Sequence, residues 1–172
     1  MLFLVSLFWN ICLTRKGPED VPTQQVLIGL LVIGKIVLVL VVTSVLQIDF
    51  STISLITQIV TWTAIAGLLC ALALQLKGKF ERFVPTFSAI LGTDLVVTAL
   101  YGLIFMTIRL SSVEFDTDIA TIFNTLVQLW TIFIVGFIMH RALDVNIGLG
   151  ITASLVIKIF SEAISIQVAG LT

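Results

Sequence analysis

The sequence predicts an all-α fold, a polytopic transmembrane helix bundle of five spans with a short N-terminal interfacial helix. Of its 172 residues, 59% are hydrophobic and 11% are charged, whereas soluble domains carry about 25% charged residues. The apolar residues also gather in five stretches of the length that crosses a bilayer, about 20 residues each. A soluble core cannot bury so much apolar surface, so lipid is the expected solvent.

Five spans are predicted within a transmembrane domain that covers residues 26–172. They are 26–46, 53–76, 87–108, 119–139 and 145–168. The segments between them are short and polar, and the last of them, HRALD at 140–144, is predicted to form a tight turn. Pro85 stands at the start of the third span, where its missing N–H costs nothing.

Residues 1–25 are predicted to form a separate N-terminal segment, a helix followed by a loop. The first 13 residues, MLFLVSLFWNICL, are apolar but too short to cross a bilayer. We expect a short helix in the membrane interface, with Phe8 and Trp9 as anchors. A helix that dips partly into the bundle is the alternative.

The distribution of basic residues predicts the orientation. Six of them fall on one side if the five spans alternate: Arg15, Lys16, Lys77, Lys79, Arg82 and Arg141. The other side holds Arg109 among the acidic residues Glu114, Asp116 and Asp118. Because basic loops stay in the cytoplasm, the N-terminus is expected there and the C-terminus outside. Lys77, Lys79 and Arg82, interleaved with phenylalanines, are candidate ligands for anionic lipid headgroups.

Four charged residues interrupt the predicted spans: Lys35, Asp94, Lys158 and Glu162. A charge at the bilayer centre costs roughly 3 kcal/mol, so such groups usually have a partner. Lys35 and Asp94 are predicted at similar depth on two spans that run in the same direction, which favours an ion pair. Lys158 and Glu162 are four residues apart on one helix face, and a Lys158–Asp94 pair is the rival. The further alternatives are a proton or ion relay, snorkelling, and a counter-charge supplied by a partner protein.

No catalytic, metal-binding or cofactor-binding pattern stands out, so a non-enzymatic protein is expected. His140 is the sole histidine, and Cys12 and Cys70 lie far apart without CxxC spacing, which argues against a zinc site. The net charge of -1 and the lack of a basic patch argue against a nucleic-acid partner. We predict no small-molecule substrate.

Two stretches carry features of a known family. KGKFERFVPTFSAILGTDLVVTALYG (77–102) is a basic, glycine-containing loop that leads into the third span. LVQLWTIFIVGFIMHRALDVNIGLGITASLVIKIF (126–160) has a tryptophan in the fourth span, a short basic turn, and glycine and alanine in the last span. These features resemble the Yip1 domain family, whose members have five spans and a cytoplasmic N-terminus.

The resemblance implies a role in organising membranes or membrane partners. The residues that match by position, Trp130, Arg141, Gly148 and Gly150, are structural ones. The DLYGP sequence of eukaryotic members, linked to Rab GTPases and vesicle traffic, is missing. The expected placement is therefore the bacterial branch, whose members look like inner-membrane proteins.

Two functions follow as expectations. The first is a subunit of a larger membrane complex that binds lipids, other membrane proteins or its own copies. The alternative is a small ion- or proton-conducting oligomer that uses the four intramembrane charges.

Overall fold

The chain folds into six α-helices, and the computed structural model describes residues 2–46, 51–110 and 117–170. The helices are α1 (Leu2–Cys12), α2 (Gln25–Leu46), α3 (Thr52–Leu76), α4 (Phe83–Leu110), α5 (Thr117–Leu143) and α6 (Ile147–Ala169). No strand occurs in these ranges. Helices α2 to α6 are long and apolar enough to cross a membrane, which confirms the predicted all-α bundle of five spans with a short N-terminal helix. The chain is an integral membrane protein.

Two helix ends differ from the prediction by four residues, and the others by two or fewer. Helix α5 continues through the basic pair His140–Arg141 to Leu143, so the predicted turn at 140–144 is corrected to a shorter connection. Burial of Leu143 favours the longer helix, and Asp144 ends it with a left-handed backbone, φ 51°. The side chain of Asn146 then caps α6 by accepting a hydrogen bond from the Leu149 N–H, 2.8 Å. The second difference is at the start of the third span, where α4 begins at Phe83, four residues earlier than predicted.

The predicted loops 47–52 and 109–118 lie largely outside the described residues. The acidic residues Glu114 and Asp116, which entered the prediction of orientation, lie there too.

Neighbouring spans alternate in direction. Helices α2 and α4 run parallel, because Gly34 faces Leu95 and Gly102 faces Val42. Helices α5 and α6 run antiparallel, because Gly150 lies against the backbone of Gly136 and His140 near the turn that joins them. The start of α2 and the end of α6 are therefore at opposite ends of the bundle. We call the end that carries Lys77, Lys79, Arg82 and Arg141 the basic end.

The helices form two packed groups. The first helix group is α2 on α4, with α1 docked against α4; the second is α3 and α5, both packed on α6. Contacts within each group are more extensive than those between the groups. The seam between them is consequently the place where the bundle is able to hold a cavity.

Tight packing is concentrated toward the basic end. Large apolar side chains that are almost completely buried meet there from three helices: Leu74, Ile90, Leu91, Ile138 and Met139. On α5, the described side chains between 118 and 133 include none that is buried. The bundle is thus closed by an apolar core toward the basic end and is looser toward the opposite end.

Helix α1 packs into the first helix group. Phe8 is only 3% exposed, and its ring lies so close to Gly92 that a Cβ there would be 2.3 Å away. Gly92 is nine residues from the start of α4, or about 13 Å along the helix. The prediction of Phe8 as an interfacial anchor is therefore wrong, since the ring is part of the protein core. Trp9, on the other face, is 41% exposed.

The close approach of α5 and α6 gives a test of the packing. A Cβ at Gly150 would lie 2.4 Å from the Gly136 carbonyl oxygen and 2.8 Å from the His140 backbone nitrogen. Because backbone atoms cannot move aside, we expect Gly150→Ala to destabilise the protein by about 1–3 kcal/mol. The measurement is the thermal unfolding midpoint in detergent micelles. The control is Gly29→Ala, where an added Cβ meets nothing within 4 Å, and equal midpoints for the two variants would contradict the packing.

Candidate functional site

A polar cleft lies in the seam between the two helix groups. Its volume is about 360 Å³. All four intramembrane charges line it: Lys35, Asp94, Lys158 and Glu162. The first two belong to the first helix group and the last two to the second, so each wall carries one basic and one acidic group.

Lys35 and Asp94 form an ion pair between the parallel helices α2 and α4. The contact joins Lys35 Nζ to Asp94 Oδ2, and the two side chains are 13% and 27% exposed. The residues lie ten and eleven positions into their helices, which gives both a depth of about 15–17 Å. Parallel direction and equal depth together bring the charges into contact.

Trp62 of α3 completes this contact from the opposite wall. Lys35 Nζ lies 4.1 Å from the centroid of a Trp62 ring, a cation–π distance that contributes about 0.5–2 kcal/mol. Trp62 thereby joins the second helix group to the charged centre of the first. No spacing pattern in the sequence predicts this contact, because the two residues lie on different helices.

Lys158 and Glu162 form a looser pair along α6. Their charged atoms are 4.0 Å apart, and the side chains are 27% and 46% exposed. The rival Lys158–Asp94 ion pair is not formed among the described residues, since Asp94 is held by Lys35. Lys158 and Asp94 nevertheless both border a small void of about 40 Å³ beneath the cleft.

Side-chain amides line the outer part of the cleft. Gln58, Asn124 and Gln128 border it, and within the described ranges their amides form no hydrogen bond to the protein. Thr131, by contrast, donates to the Gln128 carbonyl oxygen of its own helix, 2.7 Å. A polar group in an apolar layer is costly without a partner, so these three amides require water or a polar ligand.

The cleft opens away from the basic end. On α4 its lining runs from Asp94 to Tyr101, about 10 Å toward the opposite end of the helix. On the antiparallel helix α5 the lining runs back from Thr131 to Asn124. The apolar core closes the bundle below Asp94. The cleft is therefore a vestibule with the Lys35–Asp94 pair at its inner end, and the Lys158–Glu162 pair extends from there along the α6 wall.

The three cations predicted to bind headgroups are placed differently from one another. Lys79 contacts the Asp144 carboxylate and donates to the Leu143 carbonyl oxygen, 3.1 Å. Arg82 lies 3.1 Å from the same carboxylate. Lys77 is exposed. Two of the three cations therefore fasten the α3–α4 connection to the end of α5.

Asp144 is held as a carboxylate by these contacts. The hydrogen bond from Lys79 is the main cause that lowers its pKa below the ordinary value of 3.8, and the charges of Arg82 and Lys79 act in the same direction. Asp144 is therefore anionic over the neutral pH range.

Comparison of the chain with protein-family models, curated proteins and solved structures gives no match. No cluster of three His, Cys, Asp or Glu side chains suited to a metal ion is found in the described part of the chain. The fold and the site define the class directly, a multi-pass helical membrane protein with a polar vestibule among its spans.

The Lys35–Asp94 contact predicts a strong coupling between the two residues. Lys35→Leu or Asp94→Leu alone strands a charge, so each is expected to destabilise the bundle by about 3 kcal/mol, and the double variant by less than their sum. The measurement is a double-mutant cycle on thermal or denaturant unfolding in detergent. The same cycle on Lys158 and Glu162, which are 4.0 Å apart, serves as control and should give a coupling below about 0.5 kcal/mol. Additive effects at Lys35 and Asp94 would rule out their contact.

The lowered pKa of Asp144 predicts a pH-dependent contribution to stability. Because the folded pKa lies below 3.8, the contribution is complete above that value and disappears as the pH falls through the folded pKa. Asp144→Asn should therefore lower the unfolding midpoint by a constant amount from about pH 7 to about pH 5, and the difference from wild type should vanish near about pH 2. Glu81→Gln removes an exposed carboxylate of the α3–α4 connection at the same end of the bundle and is the control. A difference that persists undiminished at low pH would contradict the assignment.

Proposed function

We propose that this protein is a non-enzymatic, Yip1-like integral membrane protein that organises membrane partners as a subunit of a larger complex. The observation that supports it is the vestibule, where Gln58, Asn124 and Gln128 present unpaired amides beside two ion pairs. Such a surface inside an apolar layer favours a partner that brings hydrogen-bonding groups of its own, because polar side chains associate transmembrane helices. The partner is therefore a transmembrane segment with polar residues, from another protein or another copy.

The charges of the vestibule suit binding better than chemistry. Each carboxylate is already paired with a lysine, so neither is poised as an isolated acid or base. The pairs fix the helices and leave the amides to recognise the partner.

We place the protein in a bacterial inner membrane with its N-terminus in the cytoplasm. The alternation of the spans supports opposite sides for the two ends of the bundle, and the basic residues at one end support that end as the cytoplasmic one. The vestibule then opens toward the outside.

A second candidate function is ion or proton conduction by an oligomer. The observation that favours it is the convergence of Lys35, Asp94, Lys158 and Glu162 on one cavity. The apolar core below the ion pairs blocks a path within one chain, so conduction requires a further opening between copies. In proteoliposomes, conduction predicts a flux of ions or protons that Asp94→Asn abolishes. An unchanged flux in that variant removes the relay.

Site-specific crosslinking tests the partner proposal. A photoreactive amino acid replaces Gln128, which lines the vestibule, or its neighbour Leu129, which is 58% exposed on the outer surface. After irradiation of intact cells, we expect a protein adduct of defined mass from position 128 and lipid adducts from position 129. Mass spectrometry identifies the adducts.

A variant with both Asn124 and Gln128 replaced by Leu is expected to lose binding of the partner. It removes two unpaired amides, so partner recovery after purification in mild detergent should fall about tenfold while the fold is retained. Lipid adducts alone at both crosslinking positions, with a monomer as the sole purified species, would overturn the proposal.

A further inference from the structure

A second cavity lies at the basic end of the bundle and is separate from the vestibule. It has a volume of about 670 Å³ and lies between the Pro18–Asp20 turn, the start of α4 and the end of α5. Its polar lining residues are Glu19, Arg82, Thr86, His140, Arg141 and Asp144. The cavity does not follow from the predicted tight turn at 140–144. It depends on the extension of α5, which brings Arg141 opposite the N-terminal segment.

Two ion pairs supply the cavity with charges of both signs. Arg141 contacts the Glu19 carboxylate, and Arg82 lies 3.1 Å from Asp144. The side chains are between 39% and 56% exposed, so each is hydrated on one side and is free to take a second partner. The lowered pKa of Asp144 keeps that group anionic.

Thr86 is the group that points to a ligand. Its side chain is 0% exposed and borders the cavity. Its hydroxyl has no hydrogen-bond partner in the described part of the chain. Buried hydroxyls are normally paired. Thr86 is three residues into α4, where backbone N–H groups and the helix dipole favour an anion.

We propose that this cavity binds a phosphate–ammonium zwitterion, the chemistry of a phosphoethanolamine group. The phosphate is bound by the Thr86 hydroxyl and by the guanidinium groups of Arg82 and Arg141, which suit phosphate oxygens. The ammonium group is bound by the carboxylates of Glu19 and Asp144. The ligand inserts between existing ion pairs and leaves the net charge of the site unchanged, which favours a zwitterion over a simple anion.

The lining also selects the type of ammonium. A primary ammonium donates hydrogen bonds to carboxylates, whereas a quaternary ammonium is recognised by aromatic cages. Among the described residues that line the cavity, His140 supplies the one aromatic ring, and its Nδ1 is engaged by the Val145 carbonyl oxygen. The site therefore prefers phosphoethanolamine over phosphocholine.

The position in the bundle suits a membrane lipid. Thr86 lies about 5 Å along α4 from its start, close to the exposed basic side chains that mark the end of the spans. A soluble phosphoethanolamine compound has the same chemistry, so the two sources need separate tests. The proposal does not depend on the vestibule or on its partner.

Native mass spectrometry of the full-length protein in detergent tests the selectivity. The probes are phosphatidylethanolamine, phosphatidylglycerol and phosphatidylcholine with identical acyl chains, offered at equal concentrations. We expect phosphatidylethanolamine to be retained about tenfold more than the other two, a difference of one charge-assisted contact. Thr86→Val and Glu19→Gln should each remove most of this preference.

The control is Thr93→Val, a buried threonine of the same helix whose hydroxyl bonds its own backbone; its lipid preference should equal that of wild type. Equal retention of the three lipids, or a preference for phosphatidylglycerol that Glu19→Gln strengthens, would overturn the zwitterion site. An equal loss in Thr93→Val would do the same, since the effect would then be one of packing.

Competition with soluble phosphoethanolamine separates the sources. Displacement of the lipid at millimolar concentration, with loss in Thr86→Val, supports a site that takes the headgroup from either source. Lipid retention without displacement supports the membrane lipid as the ligand. Failure of both the lipid and the soluble compound to bind overturns the proposal, while the crosslinking result at the vestibule stands by itself.

Discussion

Neutralisation of charge inside an apolar layer is the constraint on which the rest of this structure depends. Lys35 carries an ammonium group at about 15 Å from the start of its helix, where a bare charge is costly. Asp94 neutralises it from α4, and Trp62 covers it from α3. Because each partner comes from a different helix, one charge fixes the relative positions of three spans. The contact also fixes the register of α2 against α4.

The same constraint explains why the bundle has two unlike halves. Toward the basic end, apolar side chains such as Leu74, Ile138 and Met139 are almost completely buried, and small residues such as Gly150 let α5 and α6 approach closely. Beyond the ion pairs, charged and amide side chains prevent such packing, since they need polar neighbours. A vestibule forms where the two helix groups part. The closed half supplies rigidity, and the open half supplies the surface that a partner is proposed to fill.

The basic end shows a related use of charge in a more polar setting. Lys79 and Arg82 converge on Asp144, and Arg141 contacts Glu19. These pairs join segments that are distant in sequence and border a cavity that an unpaired Thr86 hydroxyl also borders. Positive charges at a membrane boundary are expected from topology alone, but their arrangement in pairs around a cavity is specific to this fold.

The sequence by itself determined the solvent, the number of spans and the residues that had to find polar partners. The length of an apolar stretch and the cost of a charged residue in lipid, such as Lys35 or Asp94, do not depend on how the helices pack. Both can therefore be predicted from the sequence alone. Tertiary structure decided what those partners are. Four features depend on how the helices pack side by side: the pairing of Asp94 with Lys35 and not with Lys158, the contact with Trp62, the inward position of Phe8, and the extension of α5 to Leu143. Periodicity gives the faces of each helix but not the neighbour that each face meets, because that choice is made by the packing of the whole bundle.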